Sequence, residues 1–241
     1  SMDEIENLSE DERMRTGLRH PDYKAIEGFD GFETFSKGTL LELKNLILKR
    51  NARTILSIKD LTFCYGNIIG IVGENGVGKS TLAKIICGLY EENKGKILRD
   101  NEDLNLNSRL NESLLIMQEV NCQLFTDSVS NEVSLISKIK DDNILDAWIK
   151  DMELKNICDR NPHTLSGGQK QRVIILSALL SDKKILFFDE PTSGLDYRNM
   201  KIVAKNIKKV KEEDKLILII SHDVEFLESV CDTVINLCDV N

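Results

Sequence analysis

The sequence lacks long hydrophobic runs, an excess of positive charge and cysteine pairs at metal-binding spacing. Its longest apolar runs, such as residues 173–180 and 216–220, fall far short of the ~18 residues that a membrane-spanning helix needs. The chain has 40 acidic and 32 basic residues and a net charge of -8, which disfavours a nucleic-acid-binding protein. None of the six cysteines belongs to a CxxC pair, and we interpret them as buried thiols, not as zinc ligands or disulfides.

The composition is that of a globular protein with one or two domains, since 41% of the 241 residues are hydrophobic and 30% are charged. The acidic N-terminus has neither the basic flank nor the apolar core of a secretory signal, so we expect a cytoplasmic location. Residues 1–39 show no helical or strand period, and we interpret them as an N-terminal tail or linker. Residues 40–241 then form the main domain.

Short apolar runs alternate with amphipathic segments from residue 40 onwards, which predicts an α/β fold with a mostly parallel sheet. Continuous apolar runs at 68–72, 185–188 and 216–220 predict central strands that are covered on both faces. A polar, helix-prone stretch at about 119–164 predicts an inserted helical lobe. Helical spacing of apolar side chains predicts two helices packed on the sheet, one with Leu82, Ile85, Ile86 and Leu89 and one with Val203, Ile207 and Val210.

A glycine-rich loop follows the first of these strands and matches the pattern GxxxxGK[ST], which predicts phosphate binding. Its backbone N–H groups can point at phosphate oxygens near the positive end of the next helix. Lys79 supplies a charge for the β- and γ-phosphates, and the Ser80 hydroxyl suits Mg²⁺. The predicted nucleotide contacts here are Gly73, Glu74, Asn75, Gly76, Val77, Gly78, Lys79, Ser80 and Thr81.

Two consecutive carboxylates end the apolar run 185–188. Asp189 lies where open α/β folds bind ligands, and we predict that it holds Mg²⁺. Glu190 is then free to orient a water molecule and accept its proton. The alternative is that both are ordinary surface acids at a strand end.

A third motif lies between these two, and it resembles the signature sequence of ABC-type ATPases: Leu165, Ser166, Gly167, Gly168, Gln169, Lys170, Gln171 and Arg172. Ser166 and two glycines at the start of an apolar helix provide a second helix N-terminus that can face phosphate. The resemblance implies that this element contacts the γ-phosphate bound by a second ABC ATPase domain in a head-to-tail dimer. The alternative is that the serine and glycines only cap a helix.

Three further positions resemble motifs of the same family, in the family's order. The resemblance implies that Gln118 touches the metal, that Asp196 lies in a loop reaching across the dimer, and that His222 hydrogen-bonds the γ-phosphate. It covers about residues 40–241 and implies the ABC ATPase fold, with an antiparallel β subdomain on the N-terminal side and an inserted α-helical subdomain. Its catalytic residues correspond to Lys79, Glu190 and His222, and its metal contacts to Ser80, Gln118 and Asp189.

The adenine site departs from the family pattern, in which an aromatic residue after the first strand stacks on the base. Residues 41–46 are the predicted first strand, and Arg50 falls near the expected position. A guanidinium plane can also stack on a base, so we predict that Arg50 contacts the nucleotide. Tyr65 is the aromatic alternative, although it lies closer to the glycine loop than is usual.

Two segments refine the resemblance. Residues 123–133 are similar to a stretch in cobalt-type and energy-coupling-factor importers that helps to receive helices of a membrane subunit; alternatively, Leu124, Val129 and Val133 only anchor a helix. Residues 14–21 resemble the tail that such an ATPase domain carries after its last strand. Residues 1–39 are therefore also interpreted as the end of a preceding ATPase domain, in a tandem protein.

These observations predict an ATP- and Mg²⁺-dependent ATPase subunit that powers a membrane transporter, with uptake of a vitamin or metal ion as the leading hypothesis. The expected partners are a second ABC ATPase domain, same or related, and integral membrane subunits, with no nucleic acid. The expected location is cytoplasmic, peripheral on the inner face of the cell membrane. The alternatives are another ABC importer or exporter, a soluble ABC protein acting on ribosomes or DNA, and a non-hydrolysing regulator. A non-hydrolysing regulator should lack Glu190 or His222, and both residues are present.

Overall fold

The computed structural model describes residues 9–19, 38–50, 53–211 and 215–240, and it contains one parallel and one antiparallel β-sheet. The strands are β1 Leu40–Arg50, β2 Arg53–Cys64, β3 Ile68–Val72, β4 Lys94–Arg99, β5 Glu102–Asp103, β6 Ser113–Ile116, β7 Ile185–Asp189, β8 Leu216–Ile220 and β9 Thr233–Asn236. The α-helices are α1 Glu10–Thr16, α2 Lys79–Ile86, α3 Leu106–Glu112, α4 Val129–Ile136, α5 Asp142–Asp151, α6 Gly167–Leu179, α7 Tyr197–Val210 and α8 Val224–Val230.

The parallel sheet has the strand order β6-β7-β8-β3-β9. Its central strands are the three predicted from continuous apolar runs, because a strand covered by helices on both faces has no polar side. All five residues of β8 are buried, for example. The α/β prediction is confirmed, and the carboxyl ends of these strands meet at one edge of the sheet.

The antiparallel sheet has the order β2-β1-β4-β5 and comes mainly from the N-terminal side of the chain. Along β1, buried leucines alternate with partly exposed residues, as in a sheet with one covered face. The predicted first strand, 41–46, is too short, because β1 continues through a local irregularity to Arg50. Arg50 is therefore the last residue of the strand and does not follow it.

The helices after β3 and β7 were also predicted, with one error. Leu82, Ile85 and Ile86 are fully buried on α2, whereas Leu89 is 50% exposed and lies beyond the helix. The chain leaves the helix at Cys87, and Gly88 takes the left-handed backbone conformation with φ 71°, so the helical spacing no longer applies at Leu89.

Residues 120–164 contain α4, α5 and three short 3-10 helices, in the stretch where the sequence predicted an inserted lobe. Buried side chains of α4, such as Val129 and Val133, belong to the same hydrophobic core as α6. The lobe boundaries, about 119–164, stay a prediction.

Two expectations from the sequence are wrong in part. Cys64 and Cys87 are buried, but Cys122 and Cys238 are exposed, so not all the cysteines are buried thiols. Cys122 lies in the short helix Val120–Gln123, which buries only Val120.

Within the stretch 1–39, where no element was predicted, the structure has a seven-residue helix, α1. The sequence did not indicate this helix because two turns are too short to show a helical period. Residues 20 and 21 of the tail-like segment lie outside the described residues.

Among the described residues, no helix combines the length and the apolar character required to cross a bilayer.

Candidate functional site

A cleft of about 520 Å³ opens at the edge of the parallel sheet where the carboxyl ends of its strands meet. Its walls come from the loops that follow β3, β6, β7 and β8, and its volume suits a small-molecule ligand. The lining residues are Asn75, Gly76, Gly78, Lys79, Ser80, Thr81, Gln118, Asp189, Glu190, Ile220 and His222. The fold therefore brings together four motifs that are up to 147 residues apart in the sequence, from Asn75 to His222.

The glycine-rich loop turns back on itself between β3 and α2. Gly73, Gly76 and Gly78 have φ values of 144°, 86° and 109°, which residues with a side chain rarely adopt. Lys79 is the first residue of α2, and its ammonium group donates hydrogen bonds to the carbonyl oxygens of Gly73 at 2.7 Å and Glu74 at 3.0 Å. The loop thus carries a lysine charge held close to a helix N-terminus, which favours an anionic ligand.

Glu190 follows β7 and is held by three hydrogen bonds from the β8 side of the cleft. Its backbone N–H donates to the Ile220 oxygen at 2.9 Å, Oε1 accepts from the His222 N–H at 3.1 Å, and Oε2 accepts from the Ser221 hydroxyl at 3.3 Å. Its φ of 52° lies in the left-handed region, which is unfavourable for a glutamate and is maintained by these contacts.

The electrostatic setting of Glu190 favours a proton acceptor. Burial raises the pKa of this carboxyl above that of an ordinary glutamate, and the nearby His222 opposes the shift. The His222 Nε2 lies 3.8 Å from Oε1 of Glu190, and the His222 side chain is otherwise exposed to the cleft. A carboxylate with a raised pKa is a stronger base than an exposed one, which suits it to take a proton from water.

The cleft also offers oxygen ligands of the kind that Mg²⁺ prefers. Ser80 contributes a hydroxyl, Gln118 an amide oxygen and Asp189 a carboxylate, and all three line the cleft. One carboxylate with neutral oxygens leaves coordination positions for water and phosphate, as is usual for Mg²⁺. The donor set therefore fits this ion.

Gln123 is a positioning residue that sequence reasoning missed. Its Nε2 donates to the Leu115 oxygen, and its Oε1 accepts from the Met117 N–H, both at 2.9 Å. These bonds hold the end of β6 immediately before Gln118. The only sequence signal was its place in the stretch 123–133.

The signature residues do not line this cleft. Ser166 caps α6, and its Oγ accepts from the Gln169 N–H at 3.4 Å while Oε1 of Gln169 accepts from the Ser166 N–H at 3.1 Å. Gly167 faces open space, since a methyl group added there would meet nothing within 4 Å. Gly168 packs close to Leu195, and the next residue, Asp196, caps α7 from an exposed position. We call residues 166–169 together with Asp196 the signature surface.

The other predicted contacts also lie outside the lining. Gly73, Glu74 and Val77 belong to the glycine-rich loop but are not among the cleft residues. The Arg50 guanidinium lies over the ring of Tyr90, 5.5 Å from its centre, and the structure does not bring it into the cleft. Tyr65 is 6% exposed, so its ring is not available for stacking on a base. The same burial raises the pKa of Tyr65 to about 12.

Comparison with known proteins gives a consistent result. The family model described as "ABC transporter" matches residues 56–193. A putative ABC transporter ATP-binding protein of Treponema denticola is 39% identical over 200 residues, which is 83% of this chain and 41% of the relative. The energy-coupling factor transporter ATP-binding protein EcfA1 of Mycoplasma mobile is 36% identical and covers 77% of this chain and 72% of the relative.

A solved structure has the same fold. The structure of cbiO1 from Clostridium perfringens, described as part of the ABC transporter complex cbiONQ, superimposes with a TM-score of 0.71 at 29% identity, over 83% of this chain and 85% of that chain. The chain spans about two fifths of the length of several curated relatives that it matches, for example 41% of the one from T. denticola.

Proposed function

Because this chain belongs to the ABC transporter family of ATP-binding proteins, we propose that it binds and hydrolyses ATP to power a membrane transporter. The observation that carries the proposal is the convergence of Lys79, Ser80, Asp189, Glu190 and His222 on one cleft. A phosphate-binding loop, metal ligands and a base are the parts that phosphoryl transfer to water requires.

Each of these residues has a defined task in the proposed reaction. Lys79 exchanges its bonds to the loop carbonyls for the β- and γ-phosphates, which places its charge beside the leaving group. Glu190 orients a water molecule, which attacks the γ-phosphorus while the bond to the ADP oxygen breaks, and it accepts the proton that the water loses. His222 donates to the γ-phosphate. Ser80, Gln118 and Asp189 would hold Mg²⁺, which would neutralise phosphate charge.

The signature surface is proposed to contact the nucleotide of a second ABC ATPase domain in a head-to-tail dimer. The support is that its exposed residues, including the unobstructed Gly167, take no part in the cleft of their own chain. The second domain is a copy of this chain or a related ABC ATPase domain. The greater length of the T. denticola relative leaves room for a second domain, as in the tandem interpretation.

We propose that the transporter belongs to the energy-coupling-factor type and takes up a vitamin or metal ion. The names of the relatives EcfA1 and cbiO1 support this, as does the loop before α4. Leu124, Val129 and Val133 are buried and anchor α4, whereas Phe125 is 75% exposed. Oε2 of Glu132 accepts three hydrogen bonds from the Phe125 N–H, the Thr126 N–H and the Thr126 hydroxyl, at 3.0, 2.8 and 2.8 Å.

An exposed phenylalanine on such a firmly held loop suits a helix of a membrane subunit as its partner. The proposed location is accordingly peripheral, on the inner face of the cell membrane. No nucleic-acid partner is proposed.

Phosphate release by Glu190→Gln compared with the wild type tests the hydrolytic role. We expect the rate to fall by at least about a hundredfold because the base is lost, with ATP binding retained. Glu228→Gln is a matched control, since Glu228 is exposed on α8 and does not line the cleft. Equal rates for the wild type and Glu190→Gln would remove Glu190 from this role.

A further inference from the structure

Residues 9–19 form a small structured unit, here called the N-terminal clamp. A reciprocal pair of hydrogen bonds between Ser9 and Glu12 closes the start of α1, and Gly17 with φ 72° ends the helix. The clamp contributes nothing to the lining of the cleft. It nevertheless contacts two of the loops that carry predicted site residues.

The first contact is with the start of α7, where the chain leaves Asp196. The Tyr197 N–H donates to the Gly17 oxygen at 3.0 Å, and the Arg13 guanidinium lies 4.1 Å from the centre of the Tyr197 ring. Gly17 lies so near Asp196 that a methyl group there would approach its Cβ to 3.3 Å. The clamp thus packs against the N-terminus of α7, at Asp196 and Tyr197.

The second contact is with the segment after β8 that contains His222. Arg13 forms a 2.6 Å ion pair with Glu225, and both side chains are only 11% exposed. Arg19 forms an ion pair with Asp223, whose Oδ2 also accepts from the Thr192 hydroxyl at 2.9 Å. Charge pairs with so little exposure are screened less by solvent than surface pairs.

A continuous chain of hydrogen bonds connects Arg19 to Glu190. Asp223 accepts from Arg19, and its backbone N–H donates to the Ser221 hydroxyl at 3.1 Å. The same hydroxyl donates to Oε2 of Glu190 at 3.3 Å, while the N–H of His222 donates to Oε1. The ion pair of Arg19 with Asp223 is therefore linked by hydrogen bonds to the segment that contains His222 and contacts Glu190, and Asp223 also accepts from the Thr192 hydroxyl and the Phe226 N–H.

We propose that Arg19 is a positioning residue, which through Asp223 holds Glu190 and His222 in the geometry needed for hydrolysis. The inference rests on the proposed ATPase function. The proposal is supported by the backbone of Glu190, whose φ of 52° is unfavourable. Because hydrogen bonds from the β8 side hold this conformation, we expect the backbone of Glu190 to relax when those bonds loosen. Because Lys79 and the glycine-rich loop are not part of this chain of contacts, release of the clamp changes the rate of hydrolysis and leaves ATP binding intact.

The test compares Arg19→Ala and Arg19→Lys with the wild type. For Arg19→Ala we expect kcat for phosphate release to fall about tenfold, since a small displacement of a base is enough for such a loss. The dissociation constant and KM for ATP should stay within about twofold, and Arg19→Lys should recover most of kcat because it restores the charge at Asp223.

Arg15→Ala is the matched control, because Arg15 is an exposed cation of the same N-terminal clamp. The proposal is overturned if Arg19→Ala releases phosphate at the wild-type rate, as the control should, or if Arg19→Ala loses ATP affinity in proportion to kcat. The first result leaves the ATPase function standing. Failure of that function has a different signature, a wild-type protein that releases no phosphate above the background without protein.

Discussion

The cleft and the signature surface are built in different ways. The cleft collects residues from four loops at one edge of the parallel sheet, and its lining includes a lysine, side-chain oxygens and two carboxyl groups. Four of the five residues of the signature surface are consecutive in sequence, and Ser166, Gln169 and Asp196 use their side chains to cap their own helices. In our proposal, the cleft binds ATP and Mg²⁺ with residues of a single chain. The signature surface, in contrast, contacts a nucleotide only when a second domain supplies it. Four substitutions probe this difference.

The largest effect should come from Lys79→Ala, which removes the charge at the base of the cleft. We expect ATP affinity to fall on the order of 100-fold, because charge-assisted hydrogen bonds to phosphate are lost. Titration with a fluorescent ATP analogue measures this. Lys205→Ala, an exposed lysine on α7, should bind as the wild type does. Unchanged affinity of Lys79→Ala would contradict the phosphate-binding role of the loop.

Gly167→Glu should separate the two regions. A side chain at this position meets open space, and an acidic residue in the first turn of α6 is favourable for the helix, so folding and ATP affinity should be unchanged. Hydrolysis should fall at least about tenfold, because the carboxylate repels the nucleotide of the second domain. Phosphate release and ATP titration are the measurements. Asn143→Glu, which adds the same charge to the first turn of α5, is the control, and equal rates for the two variants would argue against a shared site.

Phe125→Ala should change neither ATP binding nor stability, since the ring is 75% exposed. We expect its affinity for the membrane subunits to fall by about tenfold, the usual effect of removing a central aromatic anchor. Co-purification or surface binding with those subunits measures the loss. Leu135→Ala, another exposed apolar side chain on the lobe, serves as the control. Retained affinity in Phe125→Ala would exclude this loop as the anchor.

The smallest effect concerns stability and pH. Burial raises the pKa of Glu190 in the folded protein above its unfolded value, so folding favours the protonated form. The associated stabilisation is present at acidic pH and is lost as pH rises through the folded pKa. Glu190→Gln, which carries no charge, should therefore unfold at a slightly higher temperature than the wild type at neutral pH. The difference in unfolding temperature between the two proteins should shrink as pH falls. A calorimetric measurement in which Glu190→Gln is less stable than the wild type at neutral pH would contradict this prediction.

Sequence patterns were sufficient to predict those elements whose conformation is determined by residues that are close together in the sequence. The continuous apolar runs identified β3, β7 and β8, because burial on both faces leaves no polar positions. The glycines of the loop at 73–80 also reveal its backbone directly, since their φ values are the ones that glycine alone tolerates well.

Other features depended on contacts that no local pattern encodes. Arg50 was expected after the first strand, but pairing with β2 extends β1 to include it. Leu89 kept the helical spacing although α2 had already ended. Arg13 of helix α1 is buried against Tyr197 and Glu225, which lie 184 and 212 residues further along the chain, so the helix's own pattern could not predict it. The roles assigned to the individual site residues stay predictions until they are tested.

The most direct measurement is a structure of Glu190→Gln crystallised with ATP and Mg²⁺, because loss of the base traps the nucleotide. Our account predicts the triphosphate against Lys79 and Ser80 of one domain, with Ser166 of a second domain on its far side. A nucleotide bound elsewhere, or a cleft that stays empty at saturating ATP, would contradict it.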